Sequence, residues 1–212
     1  MAGENQRVIF YVDGFNFYYG LKSMGKSWKK YYWLDMVKFC EQMVKPHQEL
    51  VEVNYFSAAH NTENGKRKRQ GQFFAANRSN PKFHLFLGKF LQKKFIHREC
   101  GLEFTTYEEK ETDVQIATSM IADVVKDRCD ISILISADSD LVPPINFIRE
   151  FKPNHKVFIC FPPKRFSYDL KKKSDIVPIL LENNELKFQN ARLPDEVNLP
   201  NGHKVIRPSS WQ

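Results

Sequence analysis

Cysteine is scarce in this chain. Four occur in 212 residues, at 40, 100, 129 and 160, with no Cys-x-x-Cys pair and no regular spacing. That pattern excludes a disulfide framework and a cysteine-based zinc site, and it leaves the thiols reduced. Histidine offers no substitute, since His47, His60, His84, His155 and His203 show no ligand spacing. Glycine numbers only nine, and neither Gly-x-Gly-x-x-Gly nor Gly-x-Ser-x-Gly can be found. Dinucleotide binding of the Rossmann type and a hydrolase nucleophile elbow are thereby set aside. No stretch approaches the ~20 apolar residues of a membrane span. No basic amphipathic helix with an exposed apolar face stands out, so no membrane partner is expected. The polar start, Met1 to Arg7, leads into an apolar run too short for a signal peptide, which gives a cytoplasmic location as the expectation.

What is present is a core. Hydrophobic residues make up 42% of the chain and charged ones 27%, and 18 Phe, eight Tyr and three Trp supply bulk for packing. The length favours one domain, read as residues 1–189, followed by an irregular tail over 190–212 that packs on it or extends from it. The net charge of +7 points toward an anionic partner, with RNA the class developed below. No feature of the sequence specifies an oligomeric state.

Three short continuous apolar runs dominate the pattern: Val8 to Val12, Ile131 to Ile135 and Lys156 to Cys160. Continuous hydrophobicity over strand length predicts strands covered on both faces. Between them lie helical patterns. Thr112 to Lys126 puts Ile116, Met120 and Val124 on one stripe, and Asp140 to Phe151 carries Pro143 and Pro144 only near its start. The alternation predicts a parallel α/β sheet. Trp33 to Val44 reads as a further amphipathic helix, Leu50 to Ala58 as a strand and Gly65 to Asn77 as a basic helix. Phe83 to Tyr107 reads as extended segments turning near Cys100 and Gly101. The tail carries three prolines and the turn signal Pro200-Asn201-Gly202.

In an open parallel sheet, ligands bind beyond the carboxyl ends of the strands. There the sequence places acids. The first run ends in Asp13-Gly14-Phe15-Asn16, and the second in Ser136-Ala137-Asp138-Ser139-Asp140. If these strands are neighbours, Asp13 and Asp138 share a rim, an arrangement that a divalent cation or a shared proton would relieve. Carboxylates without His or Cys favour Mg²⁺ or Mn²⁺. Asp113, heading the helix before the Asp138 strand, falls at ~100° per residue on the inward stripe, whereas Asp123 lies ~15 Å further along the axis and should not share its ion. Each acid also has a plain reading as a helix cap or turn residue.

Val12 to Asn16, Lys110 to Ala117 and Ile135 to Leu141 resemble, in order and spacing, the three signature segments of the NYN domain family, within the PIN-like nuclease group. The resemblance runs from Val8 to about Ile179, and the tail resembles that of bacterial single-domain members. It implies a Rossmann-like, PIN-type α/β/α sandwich with a mainly parallel central sheet, and Mg²⁺- or Mn²⁺-dependent hydrolysis of RNA. Under it, Asp13, Asp113, Asp138 and Asp140 match the metal-binding acids. Asn16 matches the asparagine that would hold the scissile phosphate or a water. One departure is Ser119, where the family commonly carries a second helix aspartate. It supports a rival reading, a catalytically weak or inactive RNA-binding module. A haloacid-dehalogenase-like phosphatase would need an Asp where Phe15 stands, and a topoisomerase-primase-like site would expect Glu at Asp13.

Lys66-Arg67-Lys68-Arg69, followed by Gln70, Phe73 and Phe74, reads as a cationic helix with an aromatic face, and the Arg69-Gln70 pair resembles the family at this place. Lys89 to Arg98, with Lys93 and Lys94, interleaves cations with Phe90 and Phe95 as a single-stranded nucleic-acid groove would. Lys110 completes the expected RNA contacts. Lys171 to Lys173 reads as ordinary surface.

Overall fold

A computed structural model describes residues 5–59, 65–96 and 102–211, with the side chains of 90–94, 96 and 104–109 outside the description. In chain order the strands are β1 (Gln6–Asp13), β2 (Gln48–Ala58), β3 (Phe83–Ile96), β4 (Glu103–Lys110), β5 (Ile131–Ile135), β6 (Lys156–Phe161), β7 (Ile179–Leu180), β8 (Glu196–Asn198) and β9 (Lys204–Ile206). The helices are α1 (Gly14–Ser23), α2 (Met36–Glu41), α3 (Gly65–Asn77), α4 (Thr112–Val125), α5 (Val142–Phe151), α6 (Tyr168–Lys171) and α7 (Glu185–Asn190). Seven strands form one sheet in the order β4-β3-β2-β1-β5-β6-β7, parallel except for the β3–β4 pair at its edge. The three apolar runs are adjacent parallel strands, with Val12 opposite Ile135 and Ile135 opposite Cys160.

β1 is buried on both sides because its neighbours carry helices on both faces. Val8, Phe10 and Val12 point into one core with Phe17 and Leu21 of α1, Phe39 of α2, Phe73 of α3 and Phe188 of α7. Ile9 and Tyr11 point into the other, against Ile116 and Met120 of α4, Ile145 and Ile148 of α5 and Leu170 of α6. The result is an α/β/α sandwich. In β2 the alternation slips: Val8 faces Leu50 but Ile9 faces Glu52. This bulge leaves Leu50 and Val53, three apart, in the same core.

Two expectations are corrected. The helix over Trp33 to Val44 is only the six residues of α2, preceded by a 3-10 helix over Lys26–Tyr32. Trp33 and Leu34 are drawn off by the chain's far end: Leu34 bridges Arg192 and the Trp33 indole donates to the carbonyl of Pro194 at 2.7 Å. Helix can start only after Asp35, whose carboxylate caps Lys38 N at 2.9 Å, while Asn77 accepts from Met36 N. The end segment is not irregular throughout, since β8 and β9 form an antiparallel hairpin. Gly202, with φ +80, makes its turn, and Val197 before it and Trp211 beyond it are buried in the α1 core. The extended segments after Phe83 are the β3–β4 pair; their expected turn at Cys100-Gly101 lies outside the described residues.

α1 begins one residue after β1, so its first turn is pressed on the neighbouring strand. A Cβ on Gly14 would stand 2.6 Å from the carbonyl oxygen of Phe56 and 2.6 Å from the Tyr55 ring. Gly71, inside exposed α3, has nothing within 4 Å of the same position. Gly14→Ala should therefore lower stability by roughly 1–3 kcal/mol through overpacking, and Gly71→Ala should raise it by roughly 0.4–1 kcal/mol by restricting the unfolded chain. Urea unfolding of the two variants checks the opposite signs.

Candidate functional site

Asp13 ends the central strand and is only 3% exposed. Its Oδ1 accepts from the backbone N of Asn16 at 3.0 Å, capping α1. Its Oδ2 accepts from Asn16 Nδ2 at 2.6 Å and from Ser136 Oγ at 2.8 Å. Burial raises its pKa above the ordinary carboxylate range. The Asn16 and Ser136 bonds pull it back, and the charge of Asp138 adds to the rise. The cap reading is thus satisfied at Asp13, and it does not displace the site reading. Asn16 is engaged with Asp13 itself, so it fixes the carboxylate's orientation.

Ser136, the first polar residue after β5, joins the two strand ends. Its hydroxyl donates to Asp13 and accepts from Asp138 N at 3.0 Å. Asp138 in turn caps the short 3-10 turn Ser139–Leu141, its Oδ1 accepting from Asp140 N at 2.9 Å. Asp140 is exposed. Asp113 sits in the first turn of α4 and is also exposed, so it faces the rim from solvent and not from within the core as its helical stripe suggested. Its carboxyl is nonetheless pushed up from 3.8 to about 6, first by partial burial and then by the charges of Asp138, Asp13 and Asp140. Asp113 is thus within electrostatic reach of the other three acids. Their donors are all oxygen, the set a hard divalent ion prefers. Among the described residues, however, no three His, Cys, Asp or Glu side chains stand close enough to hold an ion as they are.

The opposite end of the sheet has acids of another kind. Asp130 pairs with Arg7 at 2.9 Å, Asp127 with Arg7 at 3.2 Å and also with Lys152, and Asp123 with Arg128 at 2.7 Å. Hydrogen bonds from Arg7 and Lys152 hold the carboxyls of Asp130 and Asp127 below the ordinary range. Asp123 also accepts from the Tyr11 hydroxyl at 2.8 Å, which makes it a structural ion pair and confirms its separation from Asp113. The buried Ser132–His155 contact, 2.8 Å, lies at this end too. Among the described residues no Lys or Arg pairs with any of the four rim acids.

The cations take positions beside the rim. Lys66, Arg67 and Lys68 are exposed on α3. The aromatic face of α3 is not an exposed one: Phe73 and Phe74 are buried against Tyr55 and serve the core, while also lining the cleft that Lys66, Arg69 and Gln70 border. Gln70 donates to the carbonyl of Ala58 at 3.0 Å, tying α3 to the end of β2. Lys110, at the end of β4, is exposed, as are Lys89 and Phe95 of β3. The side chains of Lys93, Lys94 and Phe90, and residues His97 and Arg98, lie outside the described residues. Sequence reasoning missed the cleft that Lys66, Arg69 and Gln70 line together with Phe15, Tyr18 and Trp211. Its signal was the aromatic run Phe15, Phe17, Tyr18, Tyr19 directly after Asp13.

A mainly parallel α/β/α sandwich with an acidic rim beyond β1 and β5 is the architecture of the PIN-like nuclease class. Within that class the chain belongs to the NYN domain family, whose pattern matches residues 7–181. NYN domains are generally RNA nucleases that depend on a divalent metal. A protein of unknown function, VPA0982, from Vibrio parahaemolyticus RIMD 2210633 has a similar structure, with a TM-score of 0.57 and 21% identity. The similarity covers 85% of this chain and 96% of that one. A sequence relative is 6-hydroxy-3-succinoylpyridine 3-monooxygenase HspA of Pseudomonas putida (strain DSM 28022 / S16), 24% identical over 183 residues, 70% of this chain. The match spans 57% of that relative's length. Among the described residues no helix is long and apolar enough to cross a membrane.

Asp113 gives the site a pH signature. The unfolded carboxyl releases its proton near 3.8 and the folded one holds it until about pH 6. The folded state therefore binds more protons in that interval, and the stability this contributes, complete at lower pH, is lost as the pH rises through 6. Asp113→Asn should remove that loss. His155, depressed to about 4 mainly by burial, acts in the opposite direction but is common to both proteins. Thermal unfolding from pH 4 to 7 should show Asp113→Asn gaining on the wild type as pH rises; parallel curves would count against the repulsion.

Proposed function

We propose that this chain hydrolyses RNA phosphodiester bonds at the rim formed by Asp13, Asp113, Asp138 and Asp140, with Mg²⁺ or Mn²⁺ as cofactor. The observation that carries the reading is the contrast between the two ends of the sheet. Acids at the amino end are neutralised by arginine and lysine, whereas among the described residues no Lys or Arg pairs with the rim acids, and partial burial together with their mutual repulsion raises the Asp113 pKa to about 6. Uncompensated carboxylates gathered where an α/β sheet binds ligands call for a cation from outside the chain. Because, among the described residues, no three side chains are close enough to surround an ion directly, waters would complete its shell, as Mg²⁺ favours. When bound, such an ion neutralises charge on a phosphoryl group and makes water more acidic. Asp13, fixed by Asn16 and Ser136, supplies the one preorganised carboxylate. Asp138, Asp113 and Asp140 would hold the ion directly or through water, and the cations of α3 would draw the RNA strand toward the rim.

A second reading is favoured by Ser119, midway along α4, where NYN members commonly place an aspartate, and by the open spacing of the acids. In it the chain binds RNA and cuts it slowly or not at all. Purified protein with Mn²⁺ and single-stranded or structured RNA separates the two. Under the nuclease reading the wild type cleaves, Asp13→Asn abolishes cleavage with folding retained, and Ser119→Asp adds little because it increases repulsion in an acidic rim. An inert wild type that gains activity with Ser119→Asp would instead establish a degenerate nuclease.

The role of α3 is read from salt dependence. Neutralising Lys66, Arg67 and Lys68 together should weaken RNA binding and reduce the slope of log affinity against log salt by about 0.7 for each single-strand phosphate no longer engaged. An unchanged slope would make these residues solvated surface.

A further inference from the structure

Beside the acidic rim, on the α1 face of the sheet, lies a cleft of about 120 Å³ between α1, α3 and the end of the chain. Gly14 and Phe15, the residues directly after Asp13, form its inner edge. Two of its side chains resist explanation as core. Tyr18 is 37% exposed and Tyr19 is 39% exposed, on the same helix as the buried Phe17 and the half-buried Phe15. Tyr18 packs on Tyr32 with ring centroids 5.2 Å apart, and Tyr32 on Trp211 at 5.8 Å, while Tyr19 stacks on Phe15 at 6.1 Å. The walls are thus a set of rings held by one another, with faces and edges left to solvent. Lys66 and Arg69 line the same cleft, and the positive charge of Arg69 reaches the Tyr18 hydroxyl.

At about 120 Å³ the cleft is smaller than the roughly 150 Å³ that encloses a benzene ring, so it can take a planar ring only by leaving one edge in the solvent-facing mouth, and it excludes a duplex or a folded peptide. Aromatic walls with cations at the mouth are the surroundings that an unstacked base and its phosphate need. We propose that this cleft receives one unpaired base of a single-stranded RNA, with Arg69 and Lys66 on the adjoining phosphate. It would be a subsite that fixes which phosphodiester reaches the rim. The proposal rests on the RNA reading above and adds to it a positional base requirement. Gly14 and Phe15 join the cleft to Asp13, so the base held there and the phosphate at the rim belong to neighbouring nucleotides.

The test uses a single-stranded RNA of roughly six nucleotides, short enough to limit sliding, and a series in which each position in turn lacks its base. Affinities for the full chain are measured with EDTA present, and cleavage sites are mapped separately with Mn²⁺. One position should stand out, its missing base weakening binding by roughly 5- to 150-fold, the size of a stacked base. Tyr18→Ala and Tyr19→Ala should flatten that difference, whereas Tyr18→Phe should keep it. These exposed rings can be removed with little risk to folding, and thermal unfolding verifies that. A flat series in the wild type, or a distinct position unaffected by both alanine variants, overturns the proposal, as does absence of RNA binding. Cleavage with a flat series would leave the nuclease reading standing and the cleft without this role. A position-dependent series without cleavage would do the reverse. 5′-AMP and 5′-UMP are titrated alongside: submillimolar binding of either with a flat RNA series would assign the cleft to a free nucleotide and overturn the RNA assignment.

Discussion

The carboxylate of Asp13 ties together what the rest of the molecule arranges around it. It closes the central strand, caps the first helix and accepts the hydroxyl of Ser136 from the neighbouring strand. A buried charge is costly unless it is hydrogen-bonded on all sides, and three donors meet that demand. The same three bonds hold β1, α1 and the end of β5 in one register. Fold and proposed site share a single anchor: the carboxylate proposed to hold a cation is also the one that starts the first helix. Gly14 follows from this, since α1 can begin so soon after the strand only if nothing projects toward Phe56 and Tyr55.

Charge is distributed unevenly along the sheet. At the amino end, Arg7, Arg128 and Lys152 are placed against Asp130, Asp123 and Asp127, and the pairs made by Arg7 link segments more than a hundred residues apart. Exposed pairs of this kind contribute little stability each. Their value here lies in comparison, because among the described residues no Lys or Arg is placed in the same way against the rim acids. A cluster of the basic surplus, Lys66 to Arg69, is carried instead on α3, where Lys66 and Arg69 line the cleft that Gly14 also borders. A polyanion would be attracted by α3 and repelled by the rim acids, a conflict that the proposed divalent ion would resolve.

The layered design also explains where the aromatic content went. Most of the large rings fill the α1 face, where Phe17, Phe39, Trp28 and Tyr31 converge on Phe188. Trp211 extends the same cluster from the far end of the chain toward Tyr32 and Trp33. The α4 face is built largely from aliphatic side chains and Met120 over the odd-numbered residues of β1. One face is therefore bulky and cleft-forming, the other closely packed and featureless, and the acids sit at the seam between them.

Local pattern was enough to predict the parallel sheet, the two-sided burial of β1, β5 and β6, and the collection of acids at their carboxyl ends. Period and burial are written within a short window, and strands with helices between them have few ways to assemble. Axial rise separated Asp123 from Asp113, but the α4 stripe suggested an inward Asp113 that the structure leaves exposed. Long-range packing settled the remainder. The length of α2 was set by Asn77 and by a strand bridge to Arg192, partners 41 and more than 150 residues away that no local propensity contains. The fate of Phe73 and Phe74, read as a binding face and found in the core, depended on Tyr55 of another element. The part of Ser136 depended on where Asp13 stood, and the cleft on bringing Trp211 to a helix near the opposite end of the chain. Side chains whose work is defined by a distant partner have no signature within their own window of sequence; folding alone supplies the partner.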